Sequence, residues 1–95
     1  MILSFRCQDT EALFQGRAVA RFSNFRKVAE RKLQMLDSAA TLDYLRSPPG
    51  NRLEALSGNR AGQHSIRINS QYRICFVWHD QGAVGAANVE IVDYH

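Results

Sequence analysis

The sequence predicts a small α+β domain in which an N-terminal strand and two or three helices pack on one face of a mainly antiparallel sheet. Three observations carry this reading. An apolar stripe at helical period runs through residues 25–40. Alternation at period two marks residues 72–79. The segments after Pro48 are joined by short, turn-rich loops, which favour antiparallel neighbours. Helices with an apolar stripe need a partner, so they cover one sheet face and leave the other available for function.

Each element follows from local chemistry. Residues 2–7 have the apolar, β-favouring content of a first strand. Asp9 or Thr10 can cap a short helix through about Gln15, with Glu11 in its first turn and Gly16 ending it. Ser23 is the N-cap candidate for the main helix. Phe25, Ala29, Leu33, Leu36 and Ala40 follow on one stripe, with Val28 beside them. Arg26, Lys27, Glu30, Arg31 and Gln34 fall largely off it, giving the helix a buried side and a basic side. A second short helix continues over residues 40–45, and Pro48-Pro49-Gly50-Asn51 stops helical structure. Strands are expected at 52–56 and 64–68, around a loop at 57–62. Asn69-Ser70 turns into the strand 72–79. There Tyr72, Ile74, Phe76 and Trp78 face one way, and Arg73, Cys75, Val77 and His79 the other. Asp80-Gln81-Gly82 turns again, and 87–94 is the last strand. No repeat or long linker divides the chain, so residues 1–95 are expected to form one domain.

Composition narrows the function classes. Hydrophobic residues make up 45% of the 95, which suits a folded domain with one modest core. No apolar run approaches the roughly 20 residues of a membrane span. The first residues lack the layout of a signal peptide, so a cytoplasmic location is expected. Cys7 and Cys75 are far apart and form no C-x-x-C pair, so neither a disulfide scaffold nor a metal or cofactor is expected. The net charge of +3 is mild but unevenly spread. Arg17, Arg21, Arg26, Lys27, Arg31 and Lys32 stand against Glu30 alone. Arg46, Arg52, Arg60, Arg67 and Arg73 stand against Glu54 alone. Such clustering makes a local positive field suited to a polyanion.

Strand parity sharpens that reading. If Ile66, Ile68, Ile74, Phe76 and Trp78 are core, Arg67 and Arg73 stand on the open face. There they can contact phosphate bidentately, or pair with Glu90 or Asp93. At the last strand's end, Asp93, Tyr94 and His95 offer proton-transfer and hydrogen-bonding groups. RNA cleavage needs such groups, with cations to offset charge on the phosphorus centre. Other candidates are weaker. His64 and His79 lack metal-like spacing. Gly58-Asn59-Arg60-Ala61-Gly62 lacks the Lys-Ser/Thr and helix of a P-loop. Cys75 reads as a small strand residue.

The run Pro48-Pro49-Gly50-Asn51-Arg52-Leu53-Glu54-Ala55-Leu56-Ser57-Gly58-Asn59-Arg60-Ala61-Gly62-Gln63-His64-Ser65-Ile66-Arg67-Ile68-Asn69 resembles the central block of HigB-type toxins in the RelE superfamily. The resemblance continues through Gln71-Tyr72-Arg73-Ile74-Cys75-Phe76 and closes with Val89-Glu90-Ile91-Val92-Asp93-Tyr94-His95. It implies a RelE-like fold and a ribosome-dependent mRNA endonuclease that inhibits translation. It implies a HigA-like helix-turn-helix antitoxin as partner, with operator DNA reached only through it. The implied catalytic set is His95, Arg73, Asp93 and Tyr94. Arg60, Arg67, Arg52, Arg31 and Lys27 are the expected RNA-binding cations. Some HigB toxins carry a histidine and a lysine where Glu54 and Ser57 stand here. Glu54 is then expected to act as a base, or to pair with Arg52 or Arg73, and the toxin to be slow. The competing expectation is a RelE-fold protein that binds ribosome or RNA without cutting it.

Overall fold

The computed structural model describes residues 1–94; His95 lies outside them. Four strands form one antiparallel sheet in sequential order: β1 (Glu54–Ala55), β2 (His64–Arg67), β3 (Tyr72–His79) and β4 (Gly85–Asp93). Helices α1 (Gln8–Phe14) and α2 (Arg26–Ser38) cover one face. The expected α+β architecture is the one observed. No helix among the described residues is long and apolar enough to cross a membrane.

The helix α2 forms because its residues are mostly good helix formers, with no glycine or proline among them. Ala29, Leu33 and Leu36 are fully buried against Ile66, Ile74, Phe76, Val89 and Ile91. Each buried leucine contributes roughly 1.5–3 kcal/mol of transfer free energy. The stripe drifts at its end, where Ala39 is buried and Ala40 exposed. Ser23 does not cap the helix. It sits in a 3-10 segment, Ala20–Phe25, whose Phe22 and Phe25 plug the core, and α2 starts only after Phe25.

The N-terminal segment lies parallel to β4, touching it through isolated bridges Ile2↔Ala86 and Phe5↔Val89. The backbone N–H of Leu3 donates to Ala86 O at 2.7 Å, and that of Arg6 to Val89 O at 3.0 Å. Gly85 permits the approach. A side-chain carbon there would lie 1.9 Å from the Met1 carbonyl oxygen. Residues 2–7 therefore flank the sheet without forming a continuous strand. At Cys7 the chain leaves β4 to enter α1, and the next donor on β4 needs another acceptor. The fully buried Thr10 supplies it: its Oγ1 accepts the Ile91 N–H at 3.0 Å. Thr10 thus serves the sheet from inside α1 and does not cap the helix.

One irregularity decides what β4 presents. Cys75 pairs with Glu90, yet Val77 pairs with Ala87, so one extra residue enters β4 between them. Asn88 sits there at φ +53, a conformation asparagine tolerates better than most residues. Before this bulge Ala86 is core; after it Val89 and Ile91 are core. The shift turns Glu90, Val92 and Tyr94 onto the face away from the helices.

Candidate functional site

The open face is a lattice of facing residues. Glu54 pairs with Ser65, Ser65 with Cys75, and Cys75 with Glu90, one row across all four strands. Arg67 pairs with Arg73, and Arg73 with Val92, in the next row.

Arg73 is the centre of this face, with its side chain only 12% exposed. Its Nε donates to the Oγ of buried Ser65 at 2.7 Å. Its Nη2 donates to the Arg52 carbonyl at 2.6 Å. That carbonyl is aimed by strain, because Arg52 holds φ +45 after the Pro49–Asn51 turn. Glu54 Oε1 lies 3.2 Å from Arg73 Nη1, and the Tyr94 ring centroid lies 5.9 Å from the guanidinium carbon. Two fixed acceptors therefore orient the guanidinium. The Glu54 carboxylate, half exposed, is a weakly held partner that an incoming anion can displace.

A second guanidinium comes from the loop before β2. The short 3-10 turn Gly58–Arg60 lays Arg60 over the face, where its Nη1 donates to Glu90 Oε1 at 2.9 Å and Gln63 Oε1 at 3.1 Å. The hydrogen bond that Arg60 donates to Glu90 holds the Arg60 charge even more firmly than usual. Between the two arginines lies Cys75, whose thiol is pushed up by burial and is no nucleophile at neutral pH.

Arg73, Glu54, Tyr94, Arg60 and Arg67 are thus brought onto one face. Arg52 contributes its carbonyl there and keeps an exposed side chain. Asp93 has the opposite parity from Tyr94 and receives Gln71 Nε2 at 2.9 Å. Lys27 and Arg31 are exposed on α2, in the other layer of the molecule. His95 was expected in the site and lies outside the described residues. Sequence reasoning missed Ser65, although it shares strand parity with Arg67. It considered Glu90 only as a partner for Arg67 or Arg73, and Glu90 takes Arg60 instead. It also missed that Lys32, on α2, is buried at 6% exposure with its Nζ donating to Asn51 Oδ1.

Chemically, this face can bind an anion on prefixed guanidiniums, beside a carboxylate and a phenol. The model of a protein family described as the RelE-like toxin of the type II toxin-antitoxin system HigB matches residues 4–95. The chain belongs to the HigB-like toxin family. It is 42% identical over 82 residues to Toxin HigB-1 of Vibrio cholerae serotype O1, covering 84% of this chain and 86% of that one. It is 44% identical over 54 residues to an uncharacterized protein of Haemophilus influenzae, covering 57% of this chain and 54% of that one. Among solved structures, the YoeB/ParE toxin from Agrobacterium tumefaciens aligns at TM-score 0.47 and 18% identity, over 99% of this chain and 97% of that chain. A HigB-like toxin belongs to a type II toxin-antitoxin system, so it has an antitoxin partner.

Proposed function

We propose that this HigB-like toxin is a ribosome-dependent mRNA endonuclease, neutralised by a HigA-like helix-turn-helix antitoxin and acting in the cytoplasm. The observation that carries the reading is Arg73, oriented on the open sheet face by Ser65 and Arg52, with Glu54 and Tyr94 beside it. An oriented guanidinium of this kind offsets charge that grows on a phosphate during cleavage.

In the proposed reaction a base takes the proton of a ribose 2′-OH, and that oxygen attacks the adjacent phosphorus. The P–O5′ bond breaks as an acid protonates the leaving 5′-oxygen. The products are a 2′,3′-cyclic phosphate and a 5′-hydroxyl. Arg73 and Arg60 hold the phosphate oxygens. The position of Glu54 beside Arg73 favours it over Asp93 as the carboxylate that handles a proton. His95 is the proposed acid, and Tyr94 stacks on a nucleotide. Asp93 holds the strand end through Gln71. Arg52, Arg31 and Lys27, exposed at the rim and on α2, dock on ribosomal RNA through its backbone. The ribosome supplies substrate geometry, so free mRNA need not bind well.

The test is primer extension on translated mRNA after toxin induction, together with cleavage of naked and ribosome-bound message by purified protein. Discrete breaks, on ribosome-bound message only, are expected. Growth arrest with intact message means a ribosome or RNA binder that does not cut, and refutes the reading.

A further inference from the structure

Two buried polar side chains lie outside the open face. Lys32, on α2, is buried, and its Nζ donates to Oδ1 of Asn51, which is fully buried. Burying an ammonium is costly, and an apolar pair of similar volume would hold a core at least as well. Stability is therefore a poor reason for the pair. What the pair supplies is direction.

Every polar atom of the Asn51 side chain has a partner. Its Oδ1 accepts from Lys32, and its Nδ2 donates to the Leu45 carbonyl at 3.0 Å and to Met35 Sδ at 3.1 Å. Its backbone N–H donates to the Pro48 carbonyl at 2.9 Å. These partners belong to α2, to the 3-10 segment Asp43–Arg46 and to the head of the turn itself. The next residue is the strained one. Arg52 holds φ +45 and ψ +55, a left-handed conformation uncommon for arginine. Such a conformation persists only where its surroundings over-determine it. Asn51 fixes it on one side; on the other, Leu53 packs against the core and β1 begins at Glu54. The Arg52 carbonyl so aimed receives Arg73 Nη2 at 2.6 Å. One chain of contacts thus runs from Lys32 through Asn51 and Arg52 to Arg73.

We propose that Asn51, held by Lys32, is a positioning residue for Arg73: it keeps Arg52 left-handed and so aims the carbonyl that orients the guanidinium. With that carbonyl displaced, only Ser65 fixes Arg73, and its preorganisation for phosphate charge is lost. The kinetic part of the proposal rests on the endonuclease reading; the orientation of Arg73 does not.

The test joins arginine side-chain NMR spectra to cleavage kinetics on ribosome-bound message, for wild type, Asn51→Ala and Lys32→Met. In wild type the Arg73 Nη protons are expected as resolved signals, because hydrogen bonds slow rotation of the guanidinium. Asn51→Ala averages them, and Lys32→Met does so in part. Asn51→Ala also lowers kcat by about 10-fold or more, the scale of one hydrogen bond to a charged group, with KM for ribosomes unchanged. Glycine adopts positive φ freely, so adding Arg52→Gly to Asn51→Ala restores part of the Arg73 signals, which it would not do if Asn51 only filled the core. Wild-type Arg73 signals and kcat in both single variants overturn the proposal, as does a wild type without resolved signals. No recovery with Arg52→Gly overturns the route through Arg52. If wild type does not cut, the nuclease reading falls and the spectra alone decide the positioning. Circular dichroism shows which variants are folded. If Asn51→Ala is not, Lys32→Met and Asn51→Asp, which keeps the acceptor for Lys32 but loses the donor to Leu45, carry the test, and unchanged Arg73 signals in both overturn it.

Discussion

Thr10→Val isolates one hydrogen bond that links the helical layer to the strand carrying Tyr94. Thr10 is fully buried, and valine keeps its shape and β-branching. What is lost is the oxygen that accepts the Ile91 N–H at 3.0 Å. That donor lies in the core, beyond the point where the N-terminal segment turns away into α1. Leaving a buried donor unsatisfied costs about 1–3 kcal/mol. For a domain of this size each kcal/mol moves Tm by about 4–8 °C, so a fall of about 4–24 °C is expected. Thr10→Ser keeps the oxygen and loses only a methyl, about 0.8 kcal/mol. Thermal unfolding followed by circular dichroism measures both. The same hydroxyl also hydrogen-bonds the Cys7 thiol. The valine variant therefore raises the pH at which Cys7 alkylates, a readout independent of melting. If Thr10→Val melts within about 2 °C of wild type, the Ile91 N–H is satisfied another way and the reasoning fails.

Further outcomes follow from the same contacts. Arg73→Lys keeps the charge but loses the fork that Ser65 and Arg52 orient, so cleavage of ribosome-bound message falls by about 10²-fold or more. His95→Gln with undiminished cleavage refutes the assignment of the acid. The two thiols differ in reactivity. Burial opposes the Cys7 thiolate, but hydrogen bonds from Thr10 and Asp9 and the charge of Arg21 outweigh it and lower its pKa. Burial raises that of Cys75. Titration with a disulfide reagent in native buffer shows one fast and one slow thiol, and equal rates refute this. Lys32 has its folded pKa lowered from 10.5, so between the two values the unfolded chain holds the extra proton. Stability relative to Lys32→Met therefore rises as pH climbs towards 10.5, and denaturant melts showing a flat or falling difference contradict it.

Much of the fold was legible because it rests on periodicity. The strand 72–79 is β3 residue for residue, and the stripe through Ala29, Leu33 and Leu36 is the buried side of α2. What was hidden depends on partners distant in sequence. Residues 2–7 have strand composition, yet they meet β4 through isolated bridges at Ile2 and Phe5 before α1 begins. Ser23 looks like a cap, but the demand of Phe22 and Phe25 for burial moves the helix start. Of the candidate site, Arg67 and Arg73 were correctly read onto the open face from parity alone. Tyr94 and Asp93 were grouped as neighbours, but they point to opposite sides. The bulge at Asn88 sets which of them joins Arg73, and no local pattern announces it. Lys32 resembles any basic helix residue until Asn51, from a turn nineteen positions away, closes over it.

The clasp between the first residues and β4 has a further consequence. Asn88 N–H donates to Ser4 Oγ across 84 positions, and Ile91 to Thr10 across 81. Contacts of such long range are slow to find, because nearly the whole chain must be looped before any of them forms. Glu90, which steers Arg60, and Tyr94, which covers Arg73, both ride on the segment those contacts hold. The open face around Arg73 therefore depends on contacts that close nearly the whole chain, and long-range closure of this kind belongs late in folding.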